Sequence, residues 1–310
     1  MKIKNLKFIL FVSFSFLVLS FTFLSGCKSQ VLYRDNRLAM GTSLEVISPY
    51  EKASKIVFAE INRIEDLLSR YKPDSEVSKL NKNGSLKVSN ETFYIIKKSK
   101  EFYWLTNGSF DITCAPLLDI WGFTGKQYKV PEPGEIKNAL RLVGSDKIIL
   151  HDSDNMIQFK LPGMKIDLGG VAKGYALDSA IKKLKENNID SCLINLGGQV
   201  YCLGSKFGRS WVVRIKSPRG RGIGNYLELK DKSAATSGDY EQYFIEDGIR
   251  YSHIFNPKTG YPADSGIKSV TIVAKDGLTA DALSTSVFVL GKDKGNALLK
   301  KFKDARAEII

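Results

Sequence analysis

Apolar residues recur at three- and four-residue spacing in several stretches of the chain, and between them short runs alternate at the two-residue period of strands. From Leu32 to Ile47 the alternation predicts strands around Met40-Gly41-Thr42. After Pro49, the residues Ile56, Val57, Ile61, Ile64, Leu67 and Leu68 share one helical face, which ends near Tyr71-Lys72-Pro73. A second helix is predicted from a cap at Ser89 to about Leu105, with Phe93, Ile96 and Tyr103 on one side and a stop at Asn107-Gly108. Phe110 to Phe123 reads as a loop, and Pro131 and Pro133 introduce a short helix to Val143. Lys147 to Leu150 and Met156 to Lys160 flank a turn at Asp152-Ser153-Asp154-Asn155 and read as a hairpin.

The run KIDLGGVAKG, residues 165–174, closes an apolar strand from Met164 to Leu168, turns on Gly169 and Gly170 and opens a helix. Val171, Ala172, Ala176, Leu177, Ala180, Ile181 and Leu184 supply that helix with its apolar face. Glycines here permit backbone angles that a Cβ would penalise and let a ligand approach the main chain. Beyond it, strands are predicted at Cys192 to Leu196, Val200 to Gly204, Trp211 to Lys216, Tyr226 to Leu229, Gln242 to Ile245, Arg250 to Phe255 and Ile267 to Ala274. Two helices end the chain, one from near Leu278 and one from about Lys292 to Phe302. Many neighbouring strands with few crossovers predict an α+β protein of mostly antiparallel sheets with packed helices.

Lys2, Lys4 and Lys7 precede an apolar stretch from Phe8 to Leu24, the pattern of a signal peptide. The stretch ends in Leu24-Ser25-Gly26-Cys27, which resembles the lipobox at which a bacterial lipoprotein is lipidated on cysteine and cut before it. Residues 1–26 are therefore expected to be a leader and 27–310 the mature domain, with Cys27 as its lipidated, palmitate-bearing first residue. Acyl chains at about 0.8 kcal/mol per buried methylene hold a domain at a bilayer when more than one is attached. Without the three leader lysines the net charge falls from +13 to +10, and Lys and Arg are scattered instead of forming a block. A nucleic-acid partner is not expected from that distribution. Cys114, Cys192 and Cys202 are an odd number without metal-site spacing, so they read as buried small apolar residues and not as a disulfide framework.

Three runs carry candidate chemistry. The helix that follows Gly169-Gly170 points free N–H groups at whatever precedes it, which favours an anion such as phosphate. In LTADALSTSVFVLG, residues 278–291, Asp281 and Thr285 stand four apart and project from one side of a helix, offering two hard oxygen donors. Such donors suit magnesium, although an Asp near a helix start is also an ordinary cap. RYSHIFNPKTGYPA, residues 250–263, holds one of only two histidines, His253, a candidate general base or a structural hydrogen-bonder.

Taken in order, MGTSLEV, SRYKPDSEVSKLN, GSFDITCAPLLDIWGF, KIDLGGVAKG, INLGGQVYCLG, SGDYEQYF, HIFNPKTGYP and DGLTADALSTSVFVLG resemble the ApbE family of FAD:protein FMN transferases over nearly all of the mature chain. The resemblance implies an ApbE-like, T-fold-like architecture and a magnesium-dependent transfer of the FMN moiety of FAD to a threonine or serine of an acceptor flavoprotein, with release of AMP. It implies a metal held by Asp281, Thr285 and the backbone carbonyl of Gly170, with Ser284 as a lesser candidate. It also implies FAD contacts from Met40, Tyr71, Phe110, Asp111, Ile112, Asp167, Lys173 and Phe255. Gly170 stands where the family often has Ala or Ser, and Asn256-Pro257 where it usually has Asp-Pro, so no carboxylate acts at that turn. Family members are commonly exported lipoproteins, which implies an anchor at the outer face of the bacterial inner membrane. An FAD pyrophosphatase, or a non-catalytic flavin-binding lipoprotein, is compatible with the same residues.

Overall fold

The structure is a computed structural model that describes residues 30–218 and 225–310; the leader and Cys27 lie outside the described residues. Strands β1 (Tyr33–Ala39) and β2 (Thr42–Ser48) pair through a two-residue turn at Met40-Gly41. Both turn residues are left-handed, with φ of 49° and 72°, the geometry that matches the natural twist of a hairpin. Helix α1 (Ala53–Leu68) buries Val57, Ile61, Ile64 and Leu68 as its spacing predicts. Helix α2 (Glu76–Asn83) is not predicted by the spacing, because only Val77 and Leu80 are buried on it. Its boundaries are set instead by a Ser75 side-chain cap and by Gly84 in the left-handed region. After β3 (Ser85–Lys87), helix α3 (Asn90–Leu105) starts at the predicted Ser89 cap.

The segment from Phe110 to Phe123 is not a loop. Asp111 caps a 3-10 turn at Ile112–Cys114, which feeds α4 (Ala115–Ile120), where Pro116 fits the first turn because its missing N–H would have had no helical partner. Helix α5 (Pro133–Leu140) follows, then the hairpin β4 (Ile148–His151) and β5 (Met156–Phe159), which β3 joins as a small sheet. Met164 to Leu168, expected as a strand, forms none. Asn81 replaces the neighbour: Ile166 N–H donates to its side-chain oxygen (2.7 Å) and its amide donates to the Ile166 carbonyl (2.9 Å).

Helix α6 (Ala172–Glu186) is followed by β6 (Cys192–Leu196), β7 (Gln199–Leu203), β8 (Trp211–Arg214), β9 (Tyr226–Leu229), β10 (Lys232–Gly238), β11 (Tyr243–Glu246), β12 (Ile249–Ser252) and β13 (Ser269–Ala274). Helices α7 (Gly277–Leu290) and α8 (Lys292–Leu299) and the strand β14 (Arg306–Ile309) complete the chain. The principal sheet has the order β1-β2-β6-β7-β10-β13-β14, with every pair antiparallel. Residues 33–310 form one unit. β10, a central strand, is absent from the sequence reading because KSAATSG carries no large apolar residue; small side chains are what fit beneath α7. Cys192 and Cys202 are buried as expected, and their one-residue offset across the β6–β7 pair turns them to opposite faces of the sheet, so they cannot bridge. Cys114 is only half-buried, against expectation.

The main core lies between this sheet and helices α1, α6 and α7, while a second cluster gathers Leu117, Trp121, Phe123, Ile136 and Phe255. The contact that fixes α6 against α7 is between two glycines. A Cβ on Gly174 would lie 2.1 Å from the Gly277 carbonyl oxygen, and one on Gly277 would lie 2.3 Å from that of Gly174. We expect Gly174→Ala to lower stability by about 1–3 kcal/mol or more, since backbone and not a flexible side chain must move. Gly134→Ala, in open space at the start of α5, should be neutral or stabilising by up to about 1 kcal/mol. Chemical denaturation of the two variants checks both, and equal midpoints would mean that the helix crossing is slack.

Candidate functional site

The start of α6 is where three distant stretches meet. Neither Gly169 nor Gly170 has a positive φ, so backbone conformation does not explain the pair; proximity does. A Cβ on Gly170 would come within 3.1 Å of the Phe110 ring and 3.3 Å of Thr285 Oγ1. The glycine turn, the Phe110 segment and α7 are thus in contact, as the sequence motifs require if they serve one site. Thr285 is half-buried, whereas every other residue from Ala280 to Phe288 is buried, so the helix opens at that hydroxyl.

Asp281 occupies the anion position that the helix start creates. Its carboxylate, on a residue 5% exposed, accepts from the Gly174 N–H at 3.1 Å, within the first turn of α6. Burial pushes its pKa up, while Lys173 nearby and the Gly174 hydrogen bond pull it down. Among the described residues its other oxygen takes no hydrogen bond, and no three His, Cys, Asp or Glu side chains converge as a protein-only metal cage. One carboxylate with spare acceptor capacity, one hydroxyl and one backbone carbonyl are all hard oxygen donors. They suit a magnesium ion that completes its shell with substrate phosphates. Ser284 is differently engaged. Its hydroxyl donates to the Asp281 carbonyl (2.8 Å) and shares a 2.8 Å hydrogen bond with Ser237 of β10.

Lys173 sits in the first turn of α6, where the helix dipole opposes a cation by about 0.3–1 kcal/mol. Its ammonium reaches back to the Gly169 carbonyl at 3.2 Å. The same charge bears on Asp281 and on His253. His253 is fixed by one acceptor: its backbone N–H (3.0 Å) and its Nδ1 (3.1 Å) both approach the Gln242 carbonyl. A carbonyl can only accept, so Nδ1 carries the proton and Nε2 keeps a free lone pair. Burial, with Lys173 adding to it, pushes the imidazole pKa down to about 4 against the opposing pull of the Gln242 hydrogen bond and Asp167.

Asp167 accepts from Gly169 N–H at 2.6 Å and from Arg70 at 3.4 Å, and its own N–H donates to the Ile112 carbonyl at 2.7 Å, which ties the turn to the Phe110–Ile112 segment. Tyr71 is 64% exposed, with the Arg70 guanidinium 5.6 Å from its ring. Two candidates are committed elsewhere by their side chains. The Asp111 carboxylate caps Thr113 and Ser145 through contacts of 2.6–3.2 Å. The Phe255 ring packs on Trp121 and Phe123, each at 5.8 Å, so only its backbone can face a ligand. Met40 lies in the β1–β2 turn, half-buried against the main core; the β6–β7 turn joins that end of the sheet through the Gly197 N–H to Ser43 carbonyl bond (2.9 Å). Asn256 is a turn-former: its side chain accepts from Lys258 N–H at 3.0 Å.

The sequence reading does not single out Asp178 or Arg70. Asp178 accepts from the Gly277 (2.6 Å) and Leu278 (2.9 Å) N–H groups, returning to α7 the service that Asp281 gives α6. Burial pushes its pKa up to about 7 despite those two bonds. The available signal was its four-residue spacing from Gly174 on an otherwise apolar face.

A profile of the ApbE family matches residues 40–310. An FAD:protein FMN transferase of Klebsiella pneumoniae is 33% identical over 288 residues, covering 90% of this chain and 89% of that one. One from Treponema pallidum is 33% identical over 273 residues, with 82% and 75% covered. Among solved structures, the ApbE protein of Thermotoga maritima superposes with a TM-score of 0.84 at 39% identity, covering 90% of this chain and 94% of that one. The flavin transferase ApbE of Vibrio cholerae does so at 0.82 and 28%, covering 90% and 93%.

The depressed pKa of His253 has a measurable consequence. In a His151→Gln variant, the remaining imidazole resonance should titrate near pH 4, and a midpoint near 6.5 would show that the ring is open to water. Because the folded pKa lies below the unfolded one, this group draws stability down as pH falls from about 6.5 towards 4 and has no effect above that window.

Proposed function

The chain belongs to the ApbE family, and from that premise we infer that it is an FAD:protein FMN transferase that moves FMN from FAD to a threonine or serine hydroxyl of an acceptor flavoprotein. The observation that carries this reading is the contact of the Gly170 turn with Thr285, one helical turn from a buried Asp281 that rests on the start of α6. In the reaction, the acceptor oxygen bonds to the FMN phosphorus, the P–O bond to AMP breaks, and AMP leaves with the bridging oxygen. The acceptor proton goes to His253 Nε2, the free nitrogen of the tautomer fixed by Gln242. The low pKa keeps that nitrogen unprotonated at neutrality but makes it a weak base, so full proton transfer comes late, as the new P–O bond forms.

A diphosphate repels an incoming oxygen nucleophile. At about 4 Å and an effective dielectric of about 20, each pair of charges interacts by around 4 kcal/mol. Lys173 supplies one positive charge for two phosphates. Asp281, Thr285 Oγ1 and the Gly170 carbonyl would hold magnesium, which when bound supplies the remaining charge neutralisation at the diphosphate. Lys173 and the glycine turn orient the phosphates, and Tyr71 offers an exposed ring on which a flat heterocycle can stack. Lipid attachment at Cys27 would anchor the domain at the outer face of the inner membrane, where exported acceptor proteins are within reach.

Incubation with FAD, magnesium and an acceptor flavoprotein domain should give fluorescence on the acceptor that survives denaturation, with one AMP per flavin attached. AMP and free FMN without attachment would mean hydrolysis, and FAD binding without AMP would mean a binding protein. Asp281→Asn should lower transfer by about 100-fold or more while the melting temperature stays close to that of the parent. Replacing residues 1–27 by a cleavable secretory leader that lacks the cysteine should move the protein from the membrane fraction to the soluble periplasmic or culture fraction; unchanged membrane association would refute the anchor.

A further inference from the structure

We propose that Arg70 is a positioning residue: it sets the orientation of Asp167 and, through it, the shape of the Gly169-Gly170 turn that receives the dinucleotide. The inference rests on the flavin-transfer reading, because it says how this chain readies that same site for its substrate. Arg70 follows the end of α1 with a side chain only 7% exposed. Its guanidinium contacts two carboxylates, Asp119 at 2.6 Å and Asp167 at 3.4 Å. Asp119 has two further donors, Lys165 at 2.9 Å on its other oxygen and the Thr124 hydroxyl at 2.5 Å on the oxygen that Arg70 contacts. Asp167 is free to pass the constraint on, since its other oxygen accepts from Gly169 N–H at 2.6 Å.

A continuous path thus runs from α4 through Asp119, Arg70 and Asp167 to the backbone of the turn. Two cations, Arg70 and Lys165, balance two carboxylates, so the cluster carries no net charge when all four are ionised. A planar guanidinium can place separate N–H donors on carboxylates in two directions at once, which an ammonium on a flexible stem does less well. The same guanidinium lies 5.6 Å from the Tyr71 ring, so it also steadies the exposed aromatic that is offered for stacking. A purely structural ion pair would explain burial, but not why one end of the path terminates on the glycine turn.

The test measures FAD binding to the full chain by flavin fluorescence, with transfer kinetics and melting temperature alongside. Arg70→Gln should weaken FAD binding by about tenfold, the scale of coupling between groups in one network, while kcat at saturating FAD stays within about threefold. Arg70→Lys should recover part of the loss. In an Asp167→Asn background, Arg70→Gln should change binding by less than about twofold, because the residue through which it acts is already altered. Asp119→Asn should give a smaller loss of the same kind, and it decides the matter together with Arg70→Lys if Arg70→Gln does not fold. Parent-like binding in the variants that fold, or full additivity with Asp167→Asn, overturns the proposal and leaves the transfer reading standing. A parent chain that binds no FAD overturns both.

Discussion

Everything at this site depends on how closely two helix starts approach. Gly174 and Gly277 leave no room for a side chain between α6 and α7, and each helix sends a carboxylate to the other's exposed N–H groups: Asp281 to Gly174, Asp178 to Gly277 and Leu278. Helix starts carry partial positive charge and would otherwise repel at this distance. The exchanged carboxylates convert that repulsion into a lock. A by-product of the lock is chemical: it puts Asp281 and Thr285 beside a glycine turn more than one hundred residues away in sequence.

The charges around this lock are unevenly distributed, and that unevenness suits a dianionic ligand. Lys173 is held in a helix turn that disfavours it and reaches the Gly169 carbonyl, from where its charge bears on Asp281 and His253. The neighbouring carboxylates have partners: Asp119 and Asp167 share Arg70, and Asp111 is enclosed by Thr113 and Ser145. Asp281, with a single backbone donor among the described residues, is the exception. Burial lowers the His253 pKa, and one carbonyl fixes its tautomer with the proton on Nδ1.

Helices with a full apolar face, such as α1, α3 and α6, were legible from spacing, and Ser89 marked its cap because a hydroxyl at that position has a single obvious use. What escaped was structure specified by contacts instead of periodicity. β10 is made of small residues whose place is dictated by α7 above them. Met164 to Leu168 has the composition of a strand, yet its backbone bonds go to the Asn81 side chain at Ile166 and to the Ile112 carbonyl at Asp167 instead of to a neighbouring strand. The segment after Phe110 is organised by Asp111 and Pro116 and not by an apolar stripe. At the site, Asp281 and Thr285 were readable because four-residue spacing defines a helix side. Arg70 was not, because its partners Asp119 and Asp167 are 49 and 97 residues distant.

Gly170 also constrains what the turn can become. A methyl group there would press on both the Phe110 ring and the Thr285 hydroxyl, at separations that oblige a neighbour to yield by a few tenths of an ångström. Phe110 is itself hemmed in by Phe102, with ring centres 6.1 Å apart, and Phe102 by Phe302 at 6.2 Å. An alanine or serine at this turn would therefore press first on the Phe110 ring, and whatever that ring yields is passed to Phe102 behind it. The size of one residue at the glycine turn is thus coupled mechanically to the aromatic stack that backs it.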